Sequence, residues 1–192
     1  RSEARAEIAA ALEKANLTEA LTAAVELQTL SDDWNAVLDD EDIVALIETA
    51  NRTEADARAS GDWLFVQEIL FRLRTLHDET DRVEEHDDLD RRLDEVNRRI
   101  GLLARYAPRA LHELRERQFT RLQPDEEFPE FNEAFAEDWK VPLEGISERM
   151  VRNAMTIGAT QHISNCGWQP LLDGGLEALE IFSSTDQPAE NF

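Results

Sequence analysis

Apolar residues in the central third of the chain recur at alternating steps of four and three. They form two stripes, one on each side of the polar run 84–88: Phe65, Ile69, Leu73, Leu76, Thr80 and Val83, then Leu89, Leu93, Val96, Ile100 and Leu103. This heptad spacing places each stripe along one face of an α-helix and is typical of paired helices. The step of six from Val83 to Leu89 breaks the common frame. We therefore predict an antiparallel hairpin turning near 85–88, with one long, phase-shifted helix as the alternative.

Glycine and proline, the strongest breakers of regular structure, are scarce. The chain has 7 glycines and 6 prolines, and neither residue occurs between Arg1 and Ser60. This favours helices joined by short polar turns over β-hairpins. We predict an all-α helical bundle with a long central antiparallel hairpin, in one domain over 1–182. Its parts are N-terminal helices over 1–60, the hairpin over 61–122 and C-terminal helices over 123–182, followed by a loose tail over 183–192.

The net charge of −22 limits the classes of partner. Binding to nucleic acid or to an anionic membrane needs basic residues that displace counterions, so neither is expected. A basic protein partner, a cation or plain solvation remains compatible with the charge. The acidic residues outnumber the basic ones most strongly over 1–60 and 123–192, whereas 12 of the 20 basic residues fall in 61–122.

Lysine is almost missing among the basic residues. Only Lys14 and Lys140 are lysines, and the other 18 are arginines. An acid-rich, lysine-poor surface is typical of proteins that work at high salt, where screening weakens self-repulsion. A GC-rich genome also favours arginine over lysine, so the composition leaves both explanations open.

One cysteine, Cys166, rules out a disulfide within the chain and fits a reducing compartment. No stretch approaches the roughly 20 apolar residues of a membrane span. No basic-then-apolar signal sequence opens the chain. We expect a cytoplasmic protein.

Catalytic motifs are weak throughout, and we assign no catalytic residue, cofactor or metal ligand. No histidine follows a glutamate by three positions, as a di-iron bundle requires. Glu85-x-x-Asp88 and Glu113-x-x-Glu116 have the form with which helical nucleotide pyrophosphohydrolases hold Mg²⁺, but 42 acidic residues among 192 produce such pairs by chance. There is no Gly-x-Ser-x-Gly elbow and no phosphate-binding glycine loop, so no small-molecule substrate is evident.

His162 and Cys166 are four positions apart, so both could face one metal ion from one helical turn. Structural zinc takes four ligands, and no CxxC or HxxxH motif stands elsewhere to complete the site. We interpret the pair as a buried thiol beside a capping or core histidine.

Four aromatic residues follow the proline loop 121–130 and are interleaved with carboxylates: Phe128, Phe131, Phe135 and Trp139. We predict that the three phenylalanines share one face of a short helix. Aromatic side chains of this kind anchor protein interfaces by filling pockets, and they also cap helical cores. We take the four residues as the candidate partner-binding site.

The sequence thus favours a non-catalytic helical interaction protein, such as an adaptor, assembly or structural subunit, that binds a protein partner or self-associates. The helical seams are well formed and no group of residues suited to catalysis stands out, so this class remains mainly by elimination of the others. An acidic nucleic-acid mimic or immunity-type inhibitor of a basic partner is the first alternative, since electrostatic steering would speed its association. A metal-dependent helical hydrolase is the second.

Overall fold

The computed structural model describes residues 2–161 and 167–185. Over these ranges the chain forms helices, turns and loops and no strand, which confirms the all-α prediction. The α-helices are α1 (Ser2–Glu13), α2 (Leu17–Thr29), α3 (Trp34–Leu38), α4 (Glu41–Ala59), α5 (Trp63–His77), α6 (Val83–Tyr106), α7 (Pro108–Leu122), α8 (Glu148–Gln161) and α9 (Gln169–Ser183). Two short 3₁₀ helices, Glu133–Phe135 and Asp138–Leu143, lie between α7 and α8.

No helix within the described ranges is long and apolar enough to cross a membrane.

Two compact units make up the chain, Arg1–Asn97 and Arg98–Phe192, and the division falls within α6. The single domain expected over 1–182, with its three parts, stays a prediction.

The core of the first unit is built from α2, α4 and α5. Helix α2 packs against α1 and α5, and α4 packs against α5. Their facing sides bury Leu21, Leu46, Ile69 and Leu73 almost completely. Gln28 is buried with them, and its side-chain amide donates to the Leu76 carbonyl at 2.7 Å, so part of its polar group is satisfied without water.

Short polar residues begin the N-terminal helices, because their side chains accept hydrogen bonds from the otherwise unpaired N–H groups of the first turn. Asn16 and Asp40 cap α2 and α4 in this way. Asp33 caps α3, and its carboxylate, which also interacts favourably with the helix dipole, accepts from the Ala36 N–H at 3.1 Å.

The turn between α5 and α6 comprises residues 78–82, so the predicted turn near 85–88 is wrong. Glu79 has a φ of +55°, a left-handed conformation that a continuing helix does not allow. Helix α6 then begins at Val83, and the acidic run 84–88 lies in its first turns. Negative side chains are stabilising at a helix N-terminus, so the polar run starts a helix instead of breaking one.

Most of both heptad stripes is buried, as their spacing predicts: Ile69, Leu73 and Leu76 of α5, and Leu89, Leu93, Val96 and Leu103 of α6. Three polar pairs connect α5 and its C-cap with α6. Gln67 donates to Asn97 at 2.6 Å, and an Arg74 nitrogen lies 3.3 Å from an Asp90 oxygen. Nε2 of His86 lies 3.3 Å from a carboxylate oxygen of Asp78.

In the second unit, Arg99 of α6 connects to the end of α9. Its buried guanidinium donates to the Ser184 carbonyl at 3.0 Å and to the Thr185 hydroxyl at 2.7 Å. A second connection joins Arg98 to Glu177 at 2.5 Å. The structure describes residues 183–185 of the predicted tail 183–192. Residues 186–192 lie outside the described residues.

Candidate functional site

The four predicted aromatic residues lie in the second unit, between α7 and α8. The segment before Glu133 is irregular, and the helices that follow are short 3₁₀ turns. The prediction that Phe128, Phe131 and Phe135 share one face of a short helix is therefore wrong. Pro124 and Pro129 explain the difference, because each lacks a backbone N–H and disfavours helical geometry in the residue before it.

Phe128 and Phe131 both contact the His112 ring of α7. The ring centroids are 4.9 Å and 5.3 Å from that of the histidine. Phe128 also contacts Phe119, which lies two helical turns after His112 on α7, with ring centroids 5.3 Å apart. Tilted and edge-on contacts of this kind are favourable beyond the apolar area they bury. These two rings therefore fix the irregular segment to α7.

Trp139 contacts Tyr106 at the end of α6. The rings meet edge to face, with centroids 5.7 Å apart. Tyr106 in turn contacts Phe182 of α9 at 6.1 Å. The tryptophan thus belongs to an aromatic cluster that joins α6, α9 and the second 3₁₀ helix.

Phe135 differs from the other three, because 56% of its surface is exposed. It borders an open groove of about 490 Å³. The apolar lining of this aromatic groove comprises Pro108, Leu111, Phe131, Phe135 and Trp139, and its polar lining includes Arg105, His112, Arg115 and Asp138. The structure therefore brings three of the four predicted residues to one concave surface, whereas Phe128 does not line it.

Positive charge borders this groove although the protein as a whole is strongly acidic. Arg109 lies over the Phe131 ring, 5.0 Å from its centroid, and pairs with Glu133. Arg105 and Arg115 form no ion pair with any residue that the structure describes. An anionic group entering the groove would thus meet two guanidinium groups whose charge is not already compensated.

The positions of His112, Arg105 and Arg115 at the groove could not be identified from the sequence. Leu111 and Leu114 of α7 recur at a helical interval and are buried, but the neighbouring histidine gives no periodic signal. Its role depends on Phe128 and Phe131, which reach it from an irregular segment whose path has no simple pattern.

Of the weak metal-binding candidates, the pair Glu85-x-x-Asp88 has one carboxylate already engaged, because Asp88 forms ion pairs with Arg91 and Arg92. Among the described residues, no three His, Cys, Asp or Glu side chains come together as metal ligands. His162 and Cys166 lie outside the described residues.

Comparison of the chain with protein families, with curated proteins and with solved structures gave no match.

Proposed function

We propose that this protein is a non-catalytic helical interaction protein, an adaptor or assembly subunit, whose partner binds at the aromatic groove. The observation that carries the proposal is the distribution of exposed apolar side chains. Among the described residues, 17 large hydrophobic side chains are exposed, and 12 of them lie between Leu122 and Leu179 in the second unit. Exposed apolar surface concentrated in one part of a protein is typical of an interaction site.

The groove also indicates what kind of segment it binds. Its aromatic lining suits an apolar side chain that inserts as an anchor. Arg105 and Arg115 at its border suit carboxylates on either side of that anchor, since a guanidinium pairs well with a carboxylate. The proposed partner is therefore a protein with an exposed acidic segment that carries an aromatic or large aliphatic residue.

The α5–α6 hairpin is the second part of the proposal. The three polar pairs run in opposite directions: 67 with 97, 74 with 90, and 78 with 86. In each pair the two residue numbers add to the same value, which is the register of antiparallel helices. The intervals of seven and four along α5 are also those of the heptad stripe. We propose that α5 and α6 form a long antiparallel hairpin whose turn is 78–82.

The groove is tested by comparing two phenylalanines of equal exposure. Phe135 in the groove is 56% exposed and Phe71 on α5 is 57% exposed, so Phe135→Ser and Phe71→Ser remove the same group from similarly exposed places. Both variants and the unaltered protein are tagged and purified from native lysate at native salt, and retained proteins are quantified by mass spectrometry. We expect Phe135→Ser to retain its partner at least about tenfold less, as for an interface hot spot. Phe71→Ser should behave like the unaltered protein.

Equal retention by all three proteins would contradict the groove as the binding site. The acidic-mimic alternative predicts a different pattern. Its partner would be a basic, nucleic-acid-binding protein, released by moderate salt and unaffected by Phe135→Ser. A protein that stays monomeric by light scattering over a wide salt range and retains no partner would contradict the interaction proposal altogether.

A further inference from the structure

A second open cavity, of about 490 Å³, lies in the first unit, whereas the aromatic groove belongs to the second. Helices α4, α5 and α6 enclose it. Its apolar lining includes Leu38, Ile47, Leu73 and Leu89. We name it the His77 cavity after the histidine that lines it. Its volume is in the range of pockets that bind small molecules, roughly 300–1,000 Å³.

His77 is the buried polar group of this cavity, with 5% of its surface exposed. Its Nδ1 lies 2.8 Å from the Leu73 carbonyl of the same helix. A carbonyl oxygen can only accept, so Nδ1 carries a proton, and Nε2 of the neutral tautomer with that proton is an acceptor. Nε2 has no hydrogen-bond partner in the described part of the chain. With Nδ1 bonded to its own helix, Nε2 is the ring nitrogen of this lining residue that is available to a ligand.

Carboxylates with no ion-pair partner surround the opening. Glu48 of α4 and Glu84 and Glu85 of α6 line the cavity, and none of the three forms an ion pair within residues 2–161 or 167–185. The two arginines of the lining are already paired. Arg82 donates to Asp39 at 2.6 Å, and Arg92 donates to Glu54 at 2.7 Å. The lining therefore presents uncompensated negative charge.

We propose that the His77 cavity binds a small organic cation with an apolar body, an alkylguanidinium or alkylammonium compound. The apolar body contacts the leucines and isoleucine of the lining. One N–H of the cationic group donates to Nε2 of His77, and its charge is stabilised by Glu48, Glu84 and Glu85. An anion is disfavoured because the arginines are occupied. This site is independent of the aromatic groove, so either proposal can fail without the other.

Calorimetric titration of the full chain with n-hexylguanidine tests the site, with 1-hexanol as the uncharged analogue and methylguanidine as the analogue without an apolar body. We expect saturable binding of n-hexylguanidine at one site and at least tenfold weaker binding of both analogues. The triple variant E48Q/E84Q/E85Q should weaken binding of n-hexylguanidine by about tenfold, since each partly exposed charge pair contributes modestly. The control E13Q/E26Q/E116Q makes the same change of net charge at exposed sites elsewhere and should leave the affinity within about twofold.

Nitrogen NMR of ¹⁵N-histidine-labelled protein gives a second measurement, in which the Nε2 resonance of His77 should shift on binding. The proposal is overturned if hexanol binds as well as n-hexylguanidine, if both triple variants weaken binding equally, or if the Nε2 resonance does not move. Tighter binding of a blocked Gly-Arg-Gly peptide than of n-hexylguanidine would also overturn it, in favour of a protein ligand.

Discussion

Glu54 shows how a single residue can join three helical turns in this protein. Its carboxylate is 3% exposed and accepts hydrogen bonds from Arg58 at 2.9 Å and from Arg92 at 2.7 Å. Arg58 in turn donates to Glu95 at 3.2 Å. A buried carboxylate is costly to desolvate and is tolerated only when it is paired and hydrogen-bonded. Here the two arginines come from α4 itself and from α6.

Removing this carboxylate should be strongly destabilising. Glu54→Ala leaves a cavity and deprives two half-buried guanidinium groups of one acceptor each, so we expect a loss of about 3 kcal/mol in the free energy of unfolding. Glu148→Ala is the control, because Glu148 pairs with Arg152 on the surface of α8 and such a pair contributes at most about 0.5 kcal/mol. Urea denaturation followed by circular dichroism measures both. Similar losses for the two variants would show that the Glu54 network contributes no more to stability than an exposed ion pair.

Residues on periodic faces could be predicted from the sequence, and residues in this network could not. Leu73 and Val96 repeat at heptad intervals, and both are buried. Glu54 shares the buried face of α4 with Ala50 and Ala57, but its charge predicts exposure, and its burial depends on where Arg92 of α6 is placed. The same holds for His112, whose neighbours Phe128 and Phe131 come from a segment without regular structure.

At the scale of elements, the turn between α5 and α6 shows why boundaries are harder to predict than faces. The sequence indicates a change of frame between Val83 and Leu89, and the structure has a turn nearby, but it begins seven residues before the predicted one. Polarity alone favours a break at 84–88, whereas the helix dipole favours those acids in the first turns of α6. The turn itself depends on Glu79 at a φ of +55°, which a glutamate adopts only at some cost.

Glycine substitution distinguishes the observed turn from the predicted one. Glu79→Gly relieves the left-handed strain, so we expect the free energy of unfolding to rise by about 0.5–1 kcal/mol after allowance for the greater freedom of the unfolded chain. Glu85→Gly makes the same change inside α6 and should lower it by about 1 kcal/mol. Both positions are exposed, so packing contributes little. Thermal unfolding measures the change in stability of each variant. A loss for Glu79→Gly together with a gain for Glu85→Gly would contradict the turn at 78–82 and favour the predicted turn at 85–88.

At the scale of the whole molecule, charge is divided unevenly between the two units. Residues 1–97 contain 26 acidic and 10 basic residues, a net charge of −16. Residues 98–192 contain 16 acidic and 10 basic residues, a net charge of −6. The exposed apolar side chains show the opposite bias, since most of them lie in the second unit. The acidity thus belongs mainly to the unit that lacks the aromatic groove, which argues against a direct role of the net charge in binding at that groove.

This division predicts that salt stabilises the two units to different extents. Self-repulsion within the first unit is the larger, and screening at about 1 M KCl shortens the Debye length to roughly 3 Å, so the first unit should gain more stability. Hydrogen exchange measured by mass spectrometry at about 0.05 M and 1 M KCl resolves the gain peptide by peptide. We expect exchange in α2, α4 and α5 to slow more than exchange in α7. Matching experiments in sucrose, which stabilises compact states without screening charge, should slow both units alike. A KCl effect that is equal in the two units, or larger in the second, would show that the −16 charge of the first unit is already offset by its ion pairs, and that the acidic composition is not an adaptation of this unit to salt.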